Sequence, residues 1–307
     1  MRLLDLDEIK KRIDLPKIFA MQEDGFRAFS AGNVDVPPVG YLKQNTPPGS
    51  YHIKYGLIKN DSVWVVKIVG GPNDRPLNGM MVVISTQTGQ PEAILQDNGY
   101  LTQLRTAMAG LISAKYLAPN IINAIGVIGT GGQARMQVDI LKDWTDCRNV
   151  FVWGRNPEKS RQYKEEMEQK GFSVTISRTP SDLAKNCNLI ITTTSAREPL
   201  LHADDIQSGT HITAMGADAP GKIELDPQII AKADIVVVDN KSQCIDHGEI
   251  CRAYKQGFIT NENLIELGQI IDTPSLRRKD NHQITISDLT GVAVQDIQIA
   301  KAVLCLP

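Results

Sequence analysis

The stretch Gly129-Thr130-Gly131-Gly132-Gln133-Ala134 constrains this 307-residue chain more than any other. A short apolar run, Ala124-Ile125-Gly126-Val127-Ile128, precedes it. Ala134, Val138 and Leu141 follow at the four-then-three spacing of one helix face. The pattern is G-x-G-x-x-A between a strand and a helix, the context a dinucleotide-binding unit requires. Gly129 permits the tight turn, Gly131 lets a pyrophosphate approach the backbone, and Ala134 lets the helix pack closely on the strand. The helix N-terminus offers unpaired N–H groups and a positive dipole end to an anion. A glycine-rich structural turn is the competing reading.

From Asn123 onward, strand-like and helix-like segments alternate. Strands are expected at Asn149–Trp153, Ser173–Ile176, Leu189–Thr193, His211–Met215 and Ile235–Val238. This alternation predicts an α/β, Rossmann-type, doubly wound parallel sheet with helices on both faces. The earlier part predicts a strand-rich α+β layer, with Ser62–Val69, Met80–Ser85 and Glu92–Gln96 as strands. Segments such as Gly70-Gly71-Pro72-Asn73-Asp74 separate them. No run there is long enough for a helix until Gln103–Leu117. For that helix Thr102 is the expected N-cap, Leu104, Met108 and Leu111 the buried stripe, and Pro119 the stop. Asn33–Ser50, polar and Pro-rich, reads as an irregular surface segment. Gln283–Ile286 reads as one more strand closing the nucleotide domain, and Val292–Leu304 as a helix returning to the first domain. The expected organisation is a dinucleotide-binding domain over 120–287 and a second α+β domain over 1–119 and 288–307.

The net charge of −2 names neither nucleic acid nor an anionic membrane as a partner. No apolar stretch approaches the ~20 residues of a membrane span. Met1 to Pro16 mixes charges with leucines and shows no secretory h-region. Cys147, Cys187, Cys244, Cys251 and Cys305 include no C-x-x-C, and no His pair sits at metal spacing. Reduced thiols in a cytoplasmic protein without a metal site are the expectation.

Four residues stand out as carriers of chemistry. The strand ending at Trp153 runs into Gly154-Arg155-Asn156, with no carboxylate before Glu158. An acid there would bind a ribose 2′-hydroxyl, whereas a guanidinium can pair a 2′-phosphate. Arg155 thus leans toward NADP(H), against a solvated arginine with NAD(H) held otherwise. Lys67 shares its strand face with Val63, Val65 and Val69, where an ammonium is costly unless it pairs or reaches solvent. It is an edge-strand gatekeeper or a substrate-facing cation. Arg105 falls in the first turn of the helix after Thr102, where a guanidinium beside free N–H groups makes a carboxylate-binding corner. An exposed arginine is the alternative. Asp218 follows a strand in Gly216–Lys222, at the sheet edge where sites form; a turn aspartate before Pro220 is its plain role. Asp226 before Pro227 reads as a helix N-cap. The five histidines form no triad-like set, there is no G-x-S-x-G elbow, and no histidine is nominated.

These residues resemble the ornithine cyclodeaminase/μ-crystallin family over about Tyr51 to Leu304. The stretches that carry the resemblance are Gln96–Ala107 with the Gly129–Ala134 loop, Gly216–Leu225, and Ser287–Asp296. The resemblance implies a Rossmann domain plus a substrate domain from both chain ends that usually dimerises. It implies that Lys67 and Arg105 hold a substrate α-carboxylate, Lys67 also serving catalysis. Asp218 matches the cyclodeaminase acid/base. Thr106 lies in a cofactor-facing motif, and Thr192, Thr193, Ser195, Asp218 and Val292 match segments near the nicotinamide. His52 and Lys54 fall in a region expected to select the side chain.

The chemistry so implied removes the α-hydride of an amino acid to give an imine. For L-ornithine, the distal amine then closes the ring, ammonia leaves, and hydride returns to give L-proline. Other members of such a family are NAD(P)H-dependent ketimine or Δ1-pyrroline-2-carboxylate reductases and alanine-type dehydrogenases. Asp218 leans toward the cyclodeaminase and Arg155 toward the reductase. A μ-crystallin-like ligand-binding protein is the non-enzymatic alternative.

Overall fold

The computed structural model describes residues 1–72 and 78–306. The chain forms two compact units. One runs from Met1 to Met108 and takes in the chain end from Val292; the other is Ala109–Gly291.

In the first unit, seven strands form a sheet among the described residues. Their order is Arg2–Leu4, Pro91–Leu95, Asn78–Ser85, Val63–Pro72, Pro48–Ile58 and Val34–Asp35, with Gly40–Asn45 also paired to Pro48–Ile58. All pairs are antiparallel except Arg2–Leu4 with Pro91–Leu95. Alternation decides the two faces. Val63, Val65, Lys67 and Val69 point inward with Met81, Val83, Ala93 and Leu95, all buried. The helices Leu15–Ser30 and Ala293–Leu304 pack together, and the second lies on the strands Pro48–Ile58, Val63–Pro72 and Asn78–Ser85. Every residue of Ala293–Leu304 is buried.

Several expectations give way here. Leu15–Ser30 is a helix of 16 residues where none was expected. Its signals are ordinary: Asp14 caps the N-terminus by accepting from Lys17 N at 3.0 Å, and Pro16 sits in the first turn. Asn33–Ser50 is not irregular, because Gly40–Asn45 pairs with Pro48–Ile58 in a regular antiparallel ladder. Its polar residues line an exposed strand edge. The helix expected from Gln103 starts at Tyr100, and Thr102 lies inside it. Asp97 takes the capping role instead, accepting from Leu101 N at 2.8 Å. Leu104 and Met108 are buried, whereas Leu111 is only partly so. Of the Gly70–Asp74 separator, Gly70 to Pro72 prolong a strand, and Asn73 and Asp74 lie outside the described residues.

In the second unit, eight strands form a wholly parallel sheet among the described residues. Their order is Ser173–Ile176, Asn149–Trp153, Ile125–Ile128, Leu189–Thr192, His211–Ala214, Thr285–Asp288, Ile235–Val238 and Leu264–Glu266. The central strands are buried along their whole length, as both-faced coverage by helices demands. Ile125, Val127 and Ile191 pack with Ala134, Val138 and Leu141 on one face. Ile128, Ile190, Ile212 and Val236 build the core of the other. The last expected strand, found at Thr285–Asp288, lies inside the sheet between His211–Ala214 and Ile235–Val238. Leu264–Glu266, which the sequence reading passed over, forms the edge. Asp226 caps the Pro227–Lys232 helix as expected, accepting from Gln228 N at 2.9 Å. Among the described residues no helix is long and apolar enough to cross a membrane.

Candidate functional site

The chain reverses its direction of travel across the second sheet between Ile125–Ile128 and Leu189–Thr192, which are neighbours. Ligands of open α/β sheets bind at the carboxyl ends of strands at such a switch point. Gly129 follows the first of these strands with φ +124°, and a Cβ there would stand 2.5 Å from Thr193 Oγ1. Gly131 caps the Gly132–Leu141 helix without a side-chain hydrogen bond. A Cβ on Gly131 would meet nothing within 4 Å, so its missing side chain leaves open space over the helix N-terminus. That combination fits a pyrophosphate: exposed N–H groups, a dipole end and no side chain in the way. Ala134 is fully buried beneath and its carbonyl accepts from Tyr163 OH at 3.2 Å.

A cleft of about 290 Å³ adjoins this turn. Gly129, Thr130, Trp153, Arg155, Lys159, Thr193 and Ser195 are among its walls. Arg155 is exposed at the end of the second strand, beside Asn156, whose side chain is committed to capping the next helix. Thr192 points elsewhere: it is buried and its hydroxyl donates to Glu224 at 2.7 Å. Gln133 and Gln137 are in contact through a 3.3 Å hydrogen bond one helical turn apart.

In the first unit, Lys67 and Arg105 come together. Lys67 lies on a central strand, not an edge, so the gatekeeper reading fails. It is 1% exposed, and its Nζ donates to Asp296 Oδ1 at 3.0 Å. Arg105 is buried too, which removes the exposed-arginine alternative. Because the helix begins at Tyr100, Arg105 sits in the second turn and not beside free N–H groups. Its corner is built from the chain-end helix instead. Arg105 Nη1 donates to Gln295 Oε1 at 2.8 Å, Gln295 Nε2 donates to Arg105 O at 3.0 Å, and Arg105 Nε lies 3.3 Å from Asp296 Oδ1. Val292 caps that helix, its N–H donating to Gln295 Oε1 at 3.0 Å. Thr106 is on the same helix as Arg105, and its hydroxyl donates to Thr102 O at 2.8 Å.

Two buried cations therefore share one carboxylate. Burial is the main reason the Lys67 ammonium is lowered to about 7; Arg105 adds to the effect and Asp296 opposes it. Lys54, directly across from Lys67 in the ladder, is buried on the same face. His52 instead sets its ring edge-on to Tyr41 at 5.1 Å. Gln295 and Asp296 were missed as site residues. The available signal was the one carboxylate of a helix rich in aliphatic residues, an acid that a buried lysine would require.

Asp218 lies on an exposed loop after the His211–Ala214 strand and pairs with Lys222 at 2.5 Å. Beneath that loop, carboxylates take the place that apolar residues usually hold. Glu224, Glu249, Asp239 and Asp288 are all buried. Glu249 accepts from Glu224 N at 2.9 Å and Leu225 N at 2.8 Å. Asp239 accepts from Thr290 Oγ1 at 2.9 Å, and Asp288 from Ile250 N at 3.1 Å. Burial raises Glu249 well above the usual carboxylate range, and Glu224 and Asp288 nearby push it further. His211 is buried among Ser113, Thr213 and Thr285 and is held down at about 3, chiefly by burial, so it is a neutral structural residue.

Comparison with known proteins bears on the family and the fold. The sequence profile described as the Ornithine cyclodeaminase/mu-crystallin family matches residues 2–304. A Sinorhizobium fredii protein named "Uncharacterized cyclodeaminase y4tK" is 37% identical, over 97% of this chain and 89% of that one. An archaeal alanine dehydrogenase, solved as a dimer with bound NAD, superposes with a TM-score of 0.88 at 31% identity, covering 99% of this chain and 94% of that one. The Δ1-pyrroline-2-carboxylate reductase of Thermococcus litoralis, solved with NADH and L-proline, gives a TM-score of 0.92 at 26% identity, covering 99% and 96%.

Proposed function

The chain belongs to the ornithine cyclodeaminase/mu-crystallin family, and on that premise we propose that it is a nicotinamide-dependent enzyme interconverting a small α-amino acid and its imine. One observation carries the reading. Lys67 and Arg105 are buried together on Asp296, with the buried Lys54 across the ladder from Lys67 and the buried Asp97 also acting on Lys67, a cation-rich corner suited to a substrate carboxylate. A pure scaffold gains nothing from such an arrangement, since apolar residues would pack at less cost.

The roles divide as follows. Lys67 and Arg105 clamp the substrate carboxylate, contributing through orientation. Asp296 and Gln295 hold the two cations in place. The Gly129–Ala134 turn holds the cofactor pyrophosphate, and Thr106, Thr193, Ser195 and Val292 belong to segments that face the cofactor. A nicotinamide bound there supplies hydride transfer. Asp218, exposed on its loop, accepts or delivers the proton that accompanies the change at nitrogen. Arg155, with no acid at the strand end, supports NADP(H) over NAD(H) and hence a net reduction.

The exposed Asp218 favours a second reading, a cyclodeaminase that converts L-ornithine to L-proline and ammonia. A distal ammonium needs such a carboxylate to take its proton before it closes the ring, and the hydride removed from Cα would return to that carbon. Homodimerisation is part of the proposal, supported by an apolar outward sheet face in the first unit. The setting we infer is the cytoplasm, in keeping with five cysteines that are free among the described residues.

The test is purified protein assayed in both directions. With L-ornithine and NAD+, proline and ammonia without accumulating NADH support the cyclodeaminase. Oxidation of NADPH or NADH by Δ1-pyrroline-2-carboxylate, or by pyruvate with an amine, supports the reductase. Inactivity in every arm, with no cofactor binding, contradicts both.

A further inference from the structure

Glu224 is fully buried and makes its contacts with the backbone and hydroxyls of two separate loops. Its Oε2 accepts from Thr192 Oγ1 at 2.7 Å and from Gly216 N at 2.9 Å, and its Oε1 accepts from Thr194 N at 2.5 Å. Thr192 and Thr194 belong to the end of the Leu189–Thr192 strand and the segment after it. Gly216 opens the loop that carries Asp218. One carboxylate thus ties together the exits of two neighbouring parallel strands.

The fit is tight on both sides. A Cβ on Gly216 would overlap Thr194 O and the Glu224 carboxylate. Glu249, accepting from the backbone N–H groups of Glu224 and Leu225, fixes the segment that delivers the carboxylate. Only a carboxylate can accept at both oxygens, as this bridge requires. Burying it is costly, and an apolar side chain of similar size would avoid that cost only by leaving the Thr194 and Gly216 N–H groups without this acceptor.

We propose that Glu224 is a positioning residue that locks the Thr193–Ser195 segment and the Asp218 loop into one geometry, so that the nicotinamide half of the cofactor depends on it and the adenine half does not. The inference rests on the reading that these two loops serve the reacting end of the site. Glu224 itself touches neither cofactor nor substrate; it acts through Thr194 N and Gly216 N.

The test compares NADH with ADP-ribose, which lacks the nicotinamide, on the full-length protein by calorimetric titration. NADPH and 2′-phospho-ADP-ribose form the parallel pair. In Glu224→Gln the amide oxygen still accepts, but the NH2 group faces a backbone N–H. ADP-ribose affinity should stay within about threefold of wild type, while the advantage of NADH over ADP-ribose falls about tenfold or more. Turnover should drop, and Asp218→Asn should cost less in that background than in wild type. Thr192→Val removes one donor and keeps the volume, so it should act in the same direction if Glu224→Gln does not fold. An unchanged NADH advantage in the folded variants overturns the inference alone. Equal losses of NADH and ADP-ribose affinity, with lowered melting, also overturn it by making Glu224 merely structural. Wild-type protein that binds ADP-ribose yet gains nothing from the nicotinamide overturns the underlying reading, and the inference with it.

Discussion

Lys67 Nζ and Asp296 Oδ1 lie 3.0 Å apart, both buried, although 229 residues separate them in the chain. The pair joins a central strand of the first unit to the chain-end helix, and Arg105 Nε stands 3.3 Å from the same oxygen. Removing the acid would leave two buried cations facing each other, a change that typically costs several kcal/mol. The arrangement keeps both cations in place, and the buried Asp97 also acts on Lys67.

This fixes a pH dependence. Lys67 titrates near 7, chiefly because burial disfavours its ammonium and Arg105 adds to that effect. The carboxylate clamp loses charge as pH rises through this value. Wild-type kcat/KM should fall above about pH 7, by up to ~10-fold per unit, and Lys67→Arg, permanently charged, should lack that limb. A wild-type profile that stays flat up to about pH 9 would contradict the clamp. The stability effect runs the other way. The unfolded lysine keeps its proton up to about 10.5, so between about 7 and 10.5 the unfolded state binds more protons and this group's contribution to stability rises with pH.

The two glycines of the dinucleotide turn should fail differently when a methyl group is added. Gly129 has φ +124°, and its Cβ would press on Thr193, so Gly129→Ala should destabilise by about 1–3 kcal/mol. Gly131 has φ −88° and nothing within 4 Å of a Cβ. Gly131→Ala should therefore melt like wild type but weaken cofactor binding by about tenfold or more. Thermal melts and cofactor titrations on the same preparations check both. Unimpaired binding in Gly131→Ala would remove the pyrophosphate from this site.

The contrast between these glycines also shows what the sequence could say. Gly129, Gly131 and Ala134 are local: strand, turn and helix lie within a short segment, so their spacing reveals their roles. Lys67 and Arg105 were visible as anomalies, a cation on an apolar strand face and another near a helix start. Their true partners, Gln295 and Asp296, come from the far end of the chain, and no local pattern pairs them. The start of the Tyr100–Leu117 helix was misread because Thr102 is a good N-cap type, whereas Asp97 actually caps it. Glu224 was hidden for the same reason as Asp296. A glutamate after Lys222 in a loop reads as solvated, and only folding brings Thr192, Thr194 and Gly216 around it.

The acid cluster predicts a second pH effect with the opposite sign. Burial, aided by the Asp239 carboxylate, pushes Asp288 up to about 8 against the hydrogen bond from Ile250 N. An unfolded aspartate titrates near 3.8, so across about 3.8 to 8 the folded state holds a proton that the unfolded state lacks. The contribution of Asp288 to stability therefore falls as pH rises through that window. Asp288→Asn keeps an oxygen for Ile250 N and cannot ionise. Its melting temperature should decline less between about pH 5 and pH 8 than that of wild type, and at pH ~8 it should be at least as stable. A variant less stable there by more than about 1 kcal/mol would mean that the carboxylate is needed in its charged form.

The outward face of the first sheet sets the last expectation. Trp64, Val66 and Ile68 pair across the ladder with Ile84, Val82 and Met80 on one side and with Leu57, Tyr55 and Ile53 on the other. Ile68, Met80 and Tyr55 are exposed, and no charged residue interrupts these three rows. A continuous apolar sheet face of this kind marks an interaction surface, and the occupant inferred here is a second copy of the same face. Val66 stands at its centre, partly exposed and paired with Val82 and Tyr55. Val66→Asp would place two carboxylates near one another in a self-complementary interface and should shift the protein from dimer to monomer. Light scattering after size exclusion reads this directly, while a circular dichroism spectrum like that of wild type shows that the fold survives. A wild-type protein that runs as a monomer at about 10 μM would remove the second copy as the partner of this face.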